Sequence, residues 1–138
     1  MGADKTKNTP PWEHAWILVA ISMDGSRRST DLPSLLAAAD YINHGIPSYR
    51  QLAGALYWLS SRGLIERAGA RPLRVRQTPK GGDLVTSSAG SEPNPLRRSR
   101  QAHEALSTRT TKQRAPSKPP LRITRTTYER AVASYRSR

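Results

Sequence analysis

The chain has 138 residues, enough for one domain of ordinary size, and its 23 Lys and Arg outnumber its 10 Asp and Glu. It contains no cysteine, which excludes a disulfide scaffold, a thiolate metal site, a cysteine nucleophile and an iron–sulfur cluster. Its longest apolar run, Ala15–Ile21, is far shorter than the ~20 residues of a membrane span, and the first residues lack the basic-then-apolar order of a secretion signal. We therefore expect a soluble, intracellular protein that does not bind membranes. The excess of Arg over Lys is typical of GC-rich bacterial genomes.

Charge and apolar residues divide the chain into two parts. Residues 1–85 carry 11 basic and 7 acidic side chains, whereas residues 86–138 carry 12 basic and 3 acidic ones. Most Leu, Ile, Val and Trp lie in the first part, and the second part cannot bury enough apolar surface to offset chain entropy. We therefore predict a folded domain over 9–86 and a basic, largely disordered linker or tail over 87–125, with the disorder covering most of 87–120.

Apolar residues at helical spacing predict two helices early in the chain. The first, about 10–22, ends at a polar Asp-Gly turn. The second, about 32–43, takes its N-cap from Thr30 or Asp31. We expect Gly45 to end this helix as its left-handed residue.

A third helix is predicted over about 48–62. Ser48 and Gln51 have the S-x-x-Q spacing of a capping box, which satisfies two backbone N–H groups at a helix start. Gly63 stops the helix. The residues expected to form its buried stripe are Leu52, Ala53, Leu56 and Leu59.

After Gly63 the apolar period changes from helical to alternating. Residues 64–68 and 73–78 are predicted strands that form a β-hairpin, with Arg74 and Arg76 on its open face. Thr78 caps a last short helix that starts at Pro79 and fades near Ser87.

A further short helix is predicted at the end of the chain, over 126–136. Its apolar side chains fall at the i, i+3, i+4, i+7 spacing of one helical face, so this helix could dock on the core. These side chains are Tyr128, Ala131, Val132 and Tyr135.

Two stretches carry a family resemblance at the third helix and the hairpin. They are Leu56-x-x-Leu59-x-x-x-Gly63-Leu64-Ile65 and then Val75-x-x-Thr78-x-x-Gly81. With the order helix, helix, short turn, helix, hairpin, helix, they resemble the winged-helix superfamily, particularly the bacterial MarR-like regulators. The resemblance covers about 12–85 and implies a mainly α fold with a small β-hairpin, a winged helix-turn-helix followed by the basic tail.

The chain departs from the pattern of these regulators in three ways. Gln77 stands where the pattern has Leu, which we expect to loosen the packing of the hairpin, and Val75 replaces an aromatic residue. The long dimerising helices of such regulators are missing. A homodimer is one possibility, built on the first helix or on 126–136, and the oligomeric state stays open.

The resemblance implies a DNA-binding protein, either a transcriptional regulator or a nucleoid-associated factor in the bacterial cytoplasm. Helix 48–62 would enter the major groove and the hairpin would contact the DNA backbone. Arg50 and Gln51 would read bases, and Ser48 would meet a phosphate through its backbone N–H. The full set of candidate DNA-binding residues is Ser48, Tyr49, Arg50, Gln51, Arg62, Arg67, Arg71, Arg74, Arg76 and Lys80. The face of this helix turned toward DNA would also include Gly54, Tyr57 and Ser61. The alternative is that helix 48–62 presents a solvated face with a few structural polar groups.

The basic tail offers a second route to a polyanion. Arg97, Arg98 and Arg100 are its candidate contacts, and a flexible arm of this kind adds affinity by counterion release without sequence choice. The alternative is a solubilising tail without a fixed partner. RNA binding through the tail is a further hypothesis.

The alternative to DNA binding is a protein–protein interaction module on the winged-helix scaffold, in which the side with Tyr57 and Trp58 is the contact and the basic tail binds an acidic protein. The exposure of Trp58 separates these two hypotheses. An exposed Trp58 amid apolar neighbours would favour a protein partner, whereas a buried Trp58 below a basic face would favour DNA.

Enzymatic activity is not expected, because no catalytic motif occurs, and we expect no cofactor. No metal site is expected, since His14, His44 and His103 lack companions at ligand spacing, and His44 fits a helix-end cap.

Overall fold

The computed structural model describes residues 10–23, 28–108 and 119–137. Within these ranges the chain is mainly helical with a small antiparallel sheet, which confirms the predicted fold class. The helices are α1 (Trp12–Ile21), α2 (Leu32–Asn43), α3 (Tyr49–Ser61), α4 (Pro79–Ala89), α5 (Pro95–Thr108) and α6 (Arg125–Arg136). The strands are β1 (Thr30–Asp31), β2 (Ile65–Ala70) and β3 (Leu73–Gln77).

Helix α1 lies at the centre of the fold. Every residue of Ala15–Ile21 is at most 2% exposed, because α2, α3 and α5 all pack against this helix. The indole N–H of Trp16 donates to the Ala39 carbonyl at 3.0 Å and so ties α1 to α2. A helix that is apolar around its whole circumference needs such a complete cover.

Helix α2 begins and ends at identifiable caps. Asp31, rather than Thr30, is its N-cap, since the Asp31 carboxylate accepts the Ser34 N–H at 2.9 Å. At the other end His44 adopts the left-handed conformation, with φ of 57°. The expectation that Gly45 would take this conformation is therefore wrong by one residue.

Helix α3 starts with the predicted capping box. The Gln51 N–H donates to Ser48 Oγ at 3.2 Å, and the Ser48 N–H donates to Gln51 Oε1 at 2.9 Å. Leu52, Leu56 and Leu59 are fully buried on the inner side of the helix.

The hairpin forms a three-stranded sheet with the order β1-β3-β2. The predicted strands pair with the register Ile65↔Gln77, and the unpredicted β1 adds to the other edge of β3. Gln77 is only 5% exposed, and its side-chain NH₂ donates to the Leu18 carbonyl at 2.9 Å. The expected loosening at Gln77 is therefore wrong, because this hydrogen bond ties the hairpin to α1.

Helix α5 is the main difference between the sequence prediction and the structure. It spans Pro95–Thr108 and packs on α1 and α4, with Ala102 at 0% and Leu106 at 3% exposed. The predicted disorder over most of 87–120 is therefore wrong for 95–108, because the covered face of this helix consists mostly of small side chains. In the rest of that range, α4 extends to Ala89, residues 90–94 and 119–120 are described outside helices and strands, and 109–118 lie outside the described residues.

Helix α6 confirms the helix predicted over 126–136 and is docked, as anticipated. It packs on α2, with Ala131 buried against the core. The Tyr135 hydroxyl donates to the Asp40 carboxylate, and the Tyr128 hydroxyl donates to the Pro47 carbonyl at 2.6 Å. The residues that lead into α6 are thereby brought alongside α3.

Candidate nucleic-acid interface

The outward face of α3 is narrower than predicted. Arg50 and Gly54 are exposed, and Tyr57 is 36% exposed. Ser61 was expected on this face but is buried, and its hydroxyl donates to the Trp58 carbonyl at 2.8 Å. The open flank of α3 therefore carries one cation, Arg50, in the first turn of the helix.

The capping box engages two of the predicted DNA contacts. The Ser48 N–H donates to Gln51 Oε1, so the phosphate contact predicted through this N–H is not open in this conformation. Gln51 is left with its side-chain NH₂ as the group that can reach a base. Ser48 and Gln51 thus position the first turn of α3.

Tyr49 is half-buried and serves packing. Its hydroxyl donates to the Ile123 carbonyl at 3.1 Å, and its ring meets Tyr128 edge to face at 5.9 Å between centroids. Both contacts occupy the Tyr49 side chain with residues from the C-terminal part of the chain. They do not favour the prediction that Tyr49 faces DNA.

Residues 119–124, which we call the C-terminal segment, run along one flank of α3. The Leu121 N–H donates to Ser60 Oγ at 2.7 Å near the end of the helix, whereas Ile123 lies near its start. The segment is therefore antiparallel to α3. No local pattern in the sequence signals this contact.

Two arginines of this region stack on tyrosines of α3. The Arg122 guanidinium lies over the Tyr57 ring at 4.6 Å from its centroid, and the Arg125 guanidinium lies over the Tyr49 ring at 4.7 Å. Both arginines are exposed. They are cations beside α3 that the sequence prediction of the site did not include.

Arg62 and Trp58 lie at the far end of α3. The Arg62 guanidinium stacks on Trp58 at 4.2 Å from the ring centroid, and burial lowers the pKa of Arg62. Trp58 is half-buried and also contacts His14, at 5.1 Å between ring centroids. Lys80 donates to the Arg62 carbonyl at 3.1 Å. Trp58 thus lies below a cation rather than amid exposed apolar neighbours.

The predicted hairpin contacts fall into two groups. Arg67 and Arg71 are exposed. Arg74 donates to the Ser29 hydroxyl and carbonyl at 2.8 and 2.9 Å and lies 4.0 Å from the Asp31 carboxylate. Arg76 forms an ion pair with Glu66 at 2.8 Å. Arg74 and Arg76 therefore hold the sheet together, and Arg67 and Arg71 are the freer cations.

The predicted tail contacts lie on a packed helix and not on an arm. Arg98 donates to the carbonyls of Gly90 and Glu92, at 3.0 and 3.2 Å, and so closes the turn before α5. Arg97 and Arg100 are exposed on α5. Because α5 packs on α1 and α4 rather than on α3, the structure does not bring these arginines to the α3 site.

His14 is a buried titratable group beneath this end of α3. Burial is the main reason that its pKa falls from 6.5 to about 4, and the nearby Arg62 and His103 charges lower it further. His103 is bonded to the Pro10 carbonyl at 2.8 Å. Across the described part of the chain, no three His, Asp or Glu side chains lie close enough to hold a metal ion.

Comparison of the chain with protein-family models, with curated proteins and with solved structures gives no match. The winged-helix resemblance therefore rests on this chain's own residues and element order. Within residues 10–23, 28–108 and 119–137, the structure has no helix of sufficient length and apolarity to cross a membrane.

Proposed function

We propose that the protein binds duplex DNA as a winged-helix regulator or nucleoid-associated factor of the bacterial cytoplasm. The observation that carries the proposal is the exposed Arg50 in the first turn of α3, a helix that is held rigidly at its start and followed by an arginine-bearing hairpin. A net charge of +13 gives such a surface long-range attraction for a polyanion.

Arg50 is the candidate base-reading residue of α3. Its planar guanidinium can donate two hydrogen bonds to the O6 and N7 acceptors of a guanine in the major groove. In helix-turn-helix proteins the N-terminal residues of the second helix contact base edges, and Arg50 has that position in α3. Arg67 and Arg71 on the hairpin would meet phosphates, which adds affinity without sequence preference.

A second candidate function is the binding of an acidic protein. The C-terminal segment favours this function. A bare helix with a diameter of ~10–12 Å already fills a major groove ~12 Å wide, and α3 carries an additional stretch of chain along one flank. This extra width hinders entry into the groove but does not hinder contact with a protein surface. The exposure of Trp58 favours neither partner, because this residue is half-buried, and its contact with Arg62 places a cation at this end of α3.

A fluorescence-anisotropy titration of the full chain tests the proposal. The probe is a duplex pool of about three helical turns with a randomised centre, measured at about 50 and 200 mM salt. We expect binding that weakens steeply with salt, and sequence enrichment after rounds of selection. Arg50→Ala should bind the selected sequence ~5- to 150-fold more weakly, with little change for the unselected pool.

The matched variants separate base reading from general attraction. Arg67→Ala should weaken all sequences alike and lower the salt slope by about one, because it removes a phosphate contact. Arg130→Ala on α6 removes the same charge at an exposed residue outside the candidate contacts and serves as the control. If Arg50→Ala matches wild type on every sequence, α3 does not read bases. If duplex DNA does not bind even at low salt, the function proposed here is wrong, and binding to acidic peptides or RNA would then replace it.

A further inference from the structure

The C-terminal segment and the start of α6 carry cations that lie outside the predicted site. Arg122 and Arg125 are exposed, and both lie against α3 rather than against the element that carries them. Neither lies in the helix-turn-helix or the hairpin. With Arg50 they give the exposed surface of α3 three guanidiniums, in addition to Arg62 at the C-terminal end of the helix.

The two guanidiniums are held in place. Each rests on a tyrosine ring of α3, as planar guanidiniums do on aromatic rings, and Arg122 Nη2 also donates to the Tyr57 hydroxyl at 3.5 Å. A guanidinium has five N–H groups, so others remain to donate to a ligand. The backbone between them is anchored, because Leu121 and Ile123 are buried in the core cluster. Side chains that are ordered before binding lose less conformational entropy when they meet a ligand.

The buried anchors also indicate that the segment stays on α3. Releasing it would expose Leu121 and Ile123 and would break the hydrogen bonds from Leu121 to Ser60 and from Tyr49 to Ile123. The segment is therefore part of the folded surface that a partner would meet.

The spacing of the two stacks suits a phosphate backbone. Tyr49 and Tyr57 are eight residues apart on α3, which corresponds to about 12 Å along the helix axis at ~1.5 Å per residue. Successive phosphates of one DNA strand rise ~3.4 Å along the duplex axis, so guanidiniums this far apart can meet different phosphates of one strand. Planar guanidiniums match the geometry of phosphate oxygens with paired hydrogen bonds.

We propose that Arg122 and Arg125, held on Tyr57 and Tyr49, contact the DNA phosphates that flank the groove entered by α3. This inference rests on the function proposed above and extends it. The C-terminal segment then contributes to the interface, and α3 docks through the Arg50 and Gly54 flank that the segment leaves open.

The test compares two double variants of the full chain in the same anisotropy titration. In one, Arg122→Gln and Arg125→Gln remove the stacked pair. In the matched control, Arg28→Gln and Arg130→Gln remove two exposed charges that are not among the candidate contacts. Losing two phosphate contacts should lower the salt slope by about 1.8, which corresponds to binding roughly 50-fold weaker at ~0.1 M salt. The control should lose much less, and preference among sequences should not change in either variant.

Tyr57→Leu provides a second measurement with no change in charge. It removes the ring under Arg122 and keeps an apolar side chain, so weaker binding with an unchanged unfolding midpoint would support the stacked arrangement. Circular dichroism on each variant establishes that it is folded before titration.

The outcomes are distinguishable. If wild type does not bind DNA, the proposed function fails. If wild type binds and the Arg122/Arg125 double variant behaves like the Arg28/Arg130 control, the proposed function stands and the phosphate contacts proposed for Arg122 and Arg125 are wrong. Tighter binding by the Arg122/Arg125 variant would also overturn it, since the segment would then act as a cover that hinders α3.

Discussion

Gly81 marks the closest approach between α4 and the chain that enters the hairpin. A Cβ on Gly81 would lie 2.0 Å from the Leu64 carbonyl oxygen, which no side chain can tolerate without a shift of backbone. At the neighbouring Gly82 the nearest atom to a Cβ, Gln77 Oε1, is 3.5 Å away, an ordinary contact. The spacing Thr78-x-x-Gly81 therefore reflects a cap followed by a required close contact.

This difference predicts opposite effects for two adjacent substitutions. Gly81→Ala should lower the free energy of unfolding by about 3 kcal/mol, because α4 must move away from Leu64. Gly82→Ala should be neutral or stabilising by up to about 1 kcal/mol, because Ala has a higher helix propensity than Gly. Urea unfolding followed by circular dichroism measures both, and equal midpoints for the two variants would refute the close-contact argument.

His14 predicts a dependence of stability on acid. Its pKa is about 4 in the folded protein and 6.5 in an unfolded chain, because burial disfavours the charged imidazole. Above pH ~6.5 His14 is neutral in both states, and its contribution to the free energy of unfolding is fully present. As the pH falls from 6.5 to 4, only the unfolded chain binds the proton, so the free energy of unfolding decreases. The loss at pH 4 should be at most about 3 kcal/mol, reduced by residual solvent screening.

The His14 prediction is checked by unfolding midpoints between pH 7 and pH 4. His14→Gln should flatten the dependence over that window relative to wild type. An unchanged pH profile in His14→Gln would assign the acid sensitivity to other groups.

At the scale of the element, α5 should behave as part of the core. Leu106 is 3% exposed, so Leu106→Ala should cost about 2–4 kcal/mol through lost burial and the cavity left behind. Arg100→Ala, on the exposed side of the same helix, should change the stability by less than about 0.5 kcal/mol. Thermal or urea unfolding of the two variants measures both losses in stability. A similar, small loss of stability in the two variants would mean that α5 does not stabilise the fold.

At the scale of the whole molecule, the first part of the chain should not fold well without the second. Helix α1 is at most 2% exposed over Ala15–Ile21 only because α5 covers it together with α2 and α3. A chain that ends at residue 94 should therefore bind a hydrophobic dye, lose near-UV circular dichroism from its tryptophans and unfold without a cooperative transition. Cooperative unfolding of this chain at the wild-type midpoint would show instead that the predicted domain 9–86 folds alone.

Elements with local signals could be predicted from the sequence. The Asp31 cap and the Ser48–Gln51 capping box depend on groups within three positions of one another, so residue type and spacing suffice to find them. The predicted position of the left-handed residue at the end of α2 is wrong by one residue. The choice between His44 and Gly45 depends on where the chain must turn toward α3.

Helix α5 was missed because its buried face is made of small side chains. Ala102 and Ser99 are both 0% exposed, yet neither contributes much to the mean hydropathy of the segment, on which the prediction of disorder depends. Two signals were present: the spacing of Leu96, Ser99 and Leu106 is helical, and an apolar run such as Ala15–Ile21 needs a cover on more than one side.

The sequence by itself determined the element types, most of the helix ends and the excess of positive charge, because each depends on composition or on neighbours a few residues away. Only the tertiary structure decided which cations are available at α3. Arg74 and Arg98 are bonded within the fold, whereas Arg122 joins the α3 surface from 65 residues further along the chain. The physical reason is that the surroundings of a charged side chain are set by packing between distant segments, and no local pattern records which segments meet.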